Sequence, residues 1–242
     1  MYQQNINNYL HQYGFESMRL KAVLFDMDGV LFDSMPMHAQ AWAEAARQVG
    51  FDLTAEEAYE HEGRTGKGTI NILARRCWGR EATEQEELDI YEAKSRVFNS
   101  LPPAPKMPGA EEVLSRVKAD GLKIVLVTGS GQLSLLDKLN RNYTGYFHRD
   151  LMVTSFDVKQ GKPSPEPYLM GLRKAGIQPW EALVVENAPL GVRAGVAAHI
   201  FTIAVNTGPL PDEKLLSQGA HLLLPSMQAL ADAWPILNQE MR

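Results

Sequence analysis

Lys21-Ala22-Val23-Leu24-Phe25-Asp26-Met27-Asp28-Gly29-Val30 is the stretch on which the reading of this 242-residue sequence turns. Residues 21–26 are apolar almost throughout, which predicts a short strand buried on both faces. The run ends on Asp26, a second carboxylate follows at Asp28, and Gly29 supplies the backbone freedom for a turn. Two carboxylates are thereby brought to one pocket at the end of a strand.

Similar apolar runs follow at 123–128, 151–153, 182–186 and 200–205, with a further candidate at 221–224. Helical patterns separate them at 109–120, 132–139, 166–175, 190–198 and 226–234. This alternation predicts an α/β fold, a Rossmann-like parallel sheet with helices on both faces. Residues 36–101 interrupt it with four amphipathic segments near 36–49, 54–60, 67–77 and 83–100, bracketed by Pro36 and Pro102-Pro103. The expected organisation is a core of residues 20–35 and 102–242 with an inserted helical cap at 36–101. Leaving the first strand at its carboxyl end, where open α/β sheets bind ligands, the insert is placed to act as a lid. The Pro-rich 102–108 segment serves as its semi-rigid return hinge.

The Asn/Gln-rich residues 1–19 lack the basic start and apolar run of a signal peptide, and read as either a poorly ordered extension or a short docking arm. Cys77 is the single cysteine, so no internal disulfide is possible and a reducing cytoplasm is the expected compartment. No apolar run approaches the roughly 20 residues that cross a bilayer. A net charge of −5 without a Lys/Arg cluster provides no footprint for nucleic acid. A monomer is expected, and a small anionic substrate stays open to it, because a bound metal and a few local cations can reverse the field within one pocket.

Asp-x-Asp-Gly alone is a weak signal. A calcium loop starting at Asp26 would need Glu at its twelfth position, where Met37 stands, and Val30 occupies the fifth. Thr128-Gly129-Ser130-Gly131 resembles a dinucleotide loop, but Ser134 replaces its third glycine and no Gly-Lys-Ser/Thr follows. The signal gains weight from the later strand ends, which contribute Thr128-Gly129-Ser130, Gly161-Lys162-Pro163 and Glu186-Asn187 in order. A nucleophile, a hydroxyl donor, a fixed cation and metal ligands are what phosphoryl transfer requires, since its catalysis is mainly positioning and electrostatic stabilisation.

In this order the residues resemble those of the haloacid dehalogenase-like phosphohydrolases, and within them the β-phosphoglucomutase-like branch with a cap after the first strand; the resemblance spans about residues 21–225. It implies that Asp26 attacks phosphorus to form an aspartyl-phosphate and that Asp28 protonates the leaving group and then activates water. Thr128 and Lys162 would hold phosphoryl oxygens, with Gly129 and Ser130 beside them. Mg²⁺ would be held by Asp26, the Asp28 carbonyl, Glu186 and Asn187.

The sequence departs from that pattern in places. Asn187 stands where the family carries an acid, which removes one negative charge from the metal site. Glu62, in the Gly-bounded loop His61-Glu62-Gly63-Arg64-Thr65-Gly66, is the candidate to restore it when the cap shuts. Gly66 and Gly131 occupy the places of the arginine and lysine that grip the second phosphate of a sugar bisphosphate, with Arg64 a candidate substitute. Glu62, Asn187 and Gly131 together resemble an inorganic pyrophosphatase of this branch, so pyrophosphate hydrolysis is the leading expectation. The alternatives are a β-phosphoglucomutase or sugar-phosphate phosphatase and, from another class, a non-catalytic phosphometabolite binder. His38 is a candidate to steer Asp28, Lys94 has a related claim, and Trp42, Trp78, Trp180 and Trp234 are expected to serve packing.

Overall fold

The computed structural model describes residues 1–131 and 135–242. Among these, β1 (Ala22–Phe25), β2 (Lys123–Val127), β3 (Met152–Val153), β4 (Ala182–Glu186), β5 (Phe201–Val205) and β6 (Leu222–Leu224) form one sheet in the order β3-β2-β1-β4-β5-β6. Every pairing is parallel; Leu24 stands opposite Val125 on one side and Val184 on the other. The parallel α/β core expected from the alternation is thus present, including the sixth strand.

All four residues of β1 are buried, as a central strand requires. Period-two alternation still operates inside this all-apolar run. Val23 and Phe25 face one layer with Ile124, Leu126, Leu183, Val185, Phe201 and Ile203, while Ala22 and Leu24 face the other with Val125, Val127 and Val184. The helices are α1 (Gln3–Tyr13), α2 (Met35–Gln48), α3 (Ala55–Glu60), α4 (Gly66–Trp78), α5 (Glu84–Ser100), α6 (Ala110–Ala119), α7 (Leu135–Asn142), α8 (Glu166–Ala175), α9 (Pro189–Ala197), α10 (Asp212–Leu216) and α11 (Met227–Glu240). Val113, Leu114 and Val117 of α6 and Leu230, Trp234 and Leu237 of α11 cover the first layer. Tyr168 and Leu172 of α8 and Ala194 of α9 cover the second.

Helices α2–α5 have a core of their own, built from Ala46, Phe51, Leu53, Ile70, Leu73, Ala74 and Ile90. Thr54, Thr65 and Thr83 cap the starts of α3, α4 and α5 by accepting from the third amide on, and Glu86 completes a capping box with Thr83.

Two regions depart from local expectation. The N-terminal residues form α1 rather than a disordered extension: Ile6 and Tyr9 are buried in the core. The Tyr9 hydroxyl donates to the His199 carbonyl at 3.0 Å, and Asn5 Nδ2 to the His221 carbonyl at 2.7 Å. The last helix runs through Pro235, where the sequence pattern ends it at Trp234. Proline has no N–H for the Ala231 carbonyl, and Arg116 Nη1 donates to that oxygen instead, at 2.6 Å. The start of the helix expected at 132–139, and Ser134 with it, lies outside the described residues.

Candidate active site

The carboxyl ends of β1, β2 and β4, beside the β3–α8 loop, assemble the buried centre. Asp26 follows β1, Lys162 stands on the β3–α8 loop, and Glu186 ends β4. Lys162 Nζ donates to Asp26 Oδ1, to Glu186 Oε1 at 2.6 Å and to the Val127 carbonyl at 3.1 Å. Glu186 Oε1 also accepts from the Tyr168 hydroxyl at 2.7 Å, and its Oε2 from the Asn187 and Ala188 amides at 3.0 and 3.3 Å. Both Glu186 oxygens are thereby committed to protein donors, so it holds Lys162 and the turn into α9 in place. Burial alone would lower the Lys162 pKa, but Asp26 and Glu186 overcome it and keep the ammonium charged. Asp26 is pushed up to about 8, by burial first and then by the negative charges of Glu186 and Asp28, with Lys162 opposing.

Asp28 is governed from the cap side. Ser34 Oγ donates to Asp28 Oδ1 at 2.5 Å, and His38 Nε2 lies 3.3 Å from the same oxygen. His38 Nδ1 meets Lys94 Nζ at 2.9 Å. An ammonium can only donate, so Nδ1 accepts and the ring proton is assigned to Nε2, facing Asp28. Burial raises the Asp28 pKa, yet His38 and Ser34 outweigh it and hold the carboxyl well below its ordinary range. Burial lowers Lys94 to about 8, although Asp28 opposes it. His38 thus stands against Asp28, and Lys94 against His38.

The cap loop closes onto this centre. Asn187 Nδ2 donates to Glu62 Oε1 at 2.9 Å, and both residues are buried. Gly29 permits the approach: its φ is 79°, and a Cβ there would lie 1.9 Å from Asn187 Nδ2. Burial drives the Glu62 pKa well above its ordinary value; the Asn187 amide opposes, and Asp26, Glu186 and Asp28 add to the rise. Arg64 lines the same cavity with its Nε buried and unpartnered among the described residues. On the opposite wall, Thr128 Oγ1 accepts from the Ser130 amide at 3.1 Å, and Gly129 and Ser130 complete the lining. The cavity, which remains partly open to solvent, measures about 80 Å³.

The donor set suits a hard divalent cation. Asn187 Oδ1 is buried without a hydrogen-bond partner, the buried Asp26 and Glu186 share a single ammonium, that of Lys162, and the buried Glu62 faces the Asn187 amide. Oxygen donors only, with an excess of negative charge, match Mg²⁺. Asp26, the Asp28 carbonyl, Asn187 and Glu62 would hold it; Glu186, also expected as a ligand, has both oxygens engaged by protein donors. Among the described residues no three His, Cys, Asp or Glu side chains stand together as a ready-made metal cluster, at this site or elsewhere.

Three residues of the site carried no sequence signal. Ser34 sits where α2 begins, six residues after Asp28; Tyr168 reaches Glu186 from the middle of α8. Tyr91 lines the cavity one helical turn before Lys94, a spacing that places both on one face of α5. Trp42 does more than pack: it also lines the cavity, with Lys94 Nζ 5.7 Å from its ring centre. Trp78, Trp180 and Trp234 pack as expected, against Phe51, Phe15 and the sheet layer respectively.

Comparison with known proteins agrees with this geometry. The sequence profile of the haloacid dehalogenase-like hydrolases matches residues 20–199. A phosphorylated carbohydrates phosphatase of Thermotoga maritima is 33% identical over 87% of this chain and 97% of its own length. Hexitol phosphatase A of Escherichia coli is 34% identical over 78% of this chain and 84% of its own. A Bacteroides vulgatus structure, provisionally described as a beta-phosphoglucomutase, superposes with a TM-score of 0.97 at 59% identity, covering 100% of this chain and 98% of that one. With Asp26 directly after its first strand, helices α2–α5 inserted after that strand, and these relatives, the chain belongs to the haloacid dehalogenase-like hydrolases, among the phosphatases and phosphomutases of the β-phosphoglucomutase-like branch.

Proposed function

We propose that this protein is a Mg²⁺-dependent phosphohydrolase working through an aspartyl-phosphate, and that its substrate is inorganic pyrophosphate. The observation that carries this reading is the Glu62–Asn187 contact, which holds the cap loop against a cavity of about 80 Å³ lined by Asp26 and Asp28. That volume is far below the roughly 300–1,000 Å³ of pockets for drug-sized ligands, and it suits a compact anion.

In the first step Asp26 attacks one phosphorus, the bridging P–O bond breaks, and phosphate leaves. In the second, water adds to the aspartyl-phosphate as Asp28 accepts its proton; the P–O bond to Asp26 breaks and the carboxylate is restored. The Thr128 hydroxyl, on the cavity wall, donates to a transferring phosphoryl oxygen, while the Lys162 ammonium, its three protons engaged by Asp26, Glu186 and the Val127 carbonyl, contributes its positive charge from behind Asp26. When bound, Mg²⁺ supplies the positive charge that offsets repulsion between Asp26 and the anionic substrate. His38 and Lys94 keep Asp28 ionised and oriented. Held ionised, Asp28 has no proton to give a departing sugar alkoxide, whereas phosphate leaves as a stabilised anion without one.

Steric closure also argues against a mutase. A Cβ on Gly66 would lie 2.4 Å from the Tyr91 ring, which leaves that position no room for a side chain that grips a second sugar phosphate, and Gly131 carries no such side chain. The sugar-phosphate phosphatase reading is favoured by the two phosphatase relatives. A substrate panel with Mg²⁺ decides: kcat/KM for pyrophosphate is expected to exceed that for fructose 1-phosphate and β-glucose 1-phosphate, and the reverse order would select the alternative. Loss of activity in Asp26→Asn tests the nucleophile.

A further inference from the structure

Tyr91 stands between the cap's apolar core and the catalytic carboxylates. Its ring is backed by the cluster around Ile70, Leu73 and Ile90, and its other side lines the cavity that holds Asp26 and Asp28. Gly66, at the first position of α4, leaves the ring its place: a Cβ there would meet both Cδ2 and Cε2 of Tyr91 at 2.4 Å. Lys94 Nζ lies 5.9 Å from the centre of the ring and 5.7 Å from that of Trp42, so the cavity's cap wall is aromatic and carries one ammonium. The Tyr91 hydroxyl has no hydrogen-bond partner among the described residues, in a wall where Ser34, His38 and Lys94 all have one. Burial and the nearby Asp28 charge raise its pKa, so it is a neutral phenol able to donate.

A ring fixed from behind, in contact with a glycine and with its hydroxyl unused, limits what can stand beyond the phosphorus under attack. We propose that Tyr91 is the specificity-determining residue of the cap: its ring sets the size of the group that leaves, and its phenol O–H donates a hydrogen bond to that group. The proposal rests on the phosphohydrolase reading above and extends it to a residue outside the motif set. Tyr91 acts on the leaving group only, so the attack by Asp26 itself is unchanged in kind.

The test uses the full-length protein with Mg²⁺ and two variants, Tyr91→Leu and Tyr91→Phe, with kcat/KM measured for pyrophosphate, glycerol 3-phosphate and fructose 1-phosphate. Tyr91→Leu, which keeps an apolar contact to the cap core, is expected to raise the ratio of fructose 1-phosphate to pyrophosphate turnover at least tenfold, a discrimination of the size a few atoms in a pocket provide. Tyr91→Phe preserves the packing and reads the hydroxyl separately, with kcat/KM for pyrophosphate expected to fall about tenfold. Ratios and rates unchanged in both variants would overturn the proposal. A wild-type enzyme that prefers fructose 1-phosphate would overturn pyrophosphate as the substrate, while a ratio still shifted by Tyr91→Leu would support the role of Tyr91. Absence of turnover of every compound would overturn both.

Discussion

Replacing Asn187 by Asp restores the acidic pair usual in the family, and its consequences follow from one distance. Asn187 Nδ2 lies 2.9 Å from Glu62 Oε1, and in Asn187→Asp an oxygen takes the place of that nitrogen. Two unit charges so placed repel by 332/(20 × 2.9), about 6 kcal/mol at an effective dielectric constant of 20. That is equivalent to about four pKa units on one carboxyl, so without metal Glu62 keeps a proton or the cap opens. With Mg²⁺ bound between them, the added charge becomes a better ligand. The assay is the Mg²⁺ dependence of pyrophosphate hydrolysis, alongside limited proteolysis of the 61–66 loop in EDTA. The variant is expected to reach half-maximal activity at a Mg²⁺ concentration at least fivefold lower, since affinity follows ligand charge. In EDTA its loop should be cut faster than in wild type. Unchanged Mg²⁺ dependence together with unchanged cleavage would refute the idea that Glu62 and Asn187 form a metal-linked latch.

Other perturbations have equally definite outcomes. Lys162→Met leaves the buried Asp26 and Glu186 carboxylates without their cation and is expected to cost about 3–5 kcal/mol in urea unfolding as well as abolish turnover. Lys94 carries its positive charge beside His38 and Asp28 only while protonated, so kcat/KM should fall as pH rises through about 8, and Lys94→Met should lose that limb of the profile. His221 accepts the Thr202 amide at 3.0 Å through Nδ1, and burial lowers its pKa to about 4. Because the unfolded chain takes up its proton first, stability from this group is present above the unfolded value of about 6.5 and is lost as pH falls toward 4. The loss is at most about 3 kcal/mol, read as the difference between wild type and His221→Asn in urea unfolding at pH 7 and pH 4.5.

Much of this architecture is legible in the chain itself. Short apolar runs alternating with amphipathic segments can only bury their surfaces as a parallel sheet between helix layers, and a sheet of that kind directs Asp26, Thr128 and Glu186 to one edge. The order of those residues along the sequence carried the chemistry because each follows or ends a strand. Local patterning failed where the compensating group was remote. Pro235 reads as a helix end until Arg116, 119 residues earlier, satisfies the carbonyl it leaves open. The N-terminal helix reads as a loose tail until Tyr9 and Asn5 find carbonyls near the far end of the chain. The contact between Glu62 and Asn187, the tautomer of His38 and the position of the Tyr91 ring depend on how the cap sits on the core. Sequence periodicity fixes which face of an element is buried, but only packing between elements fixes the distances that decide a charge, a proton or the size of a cavity.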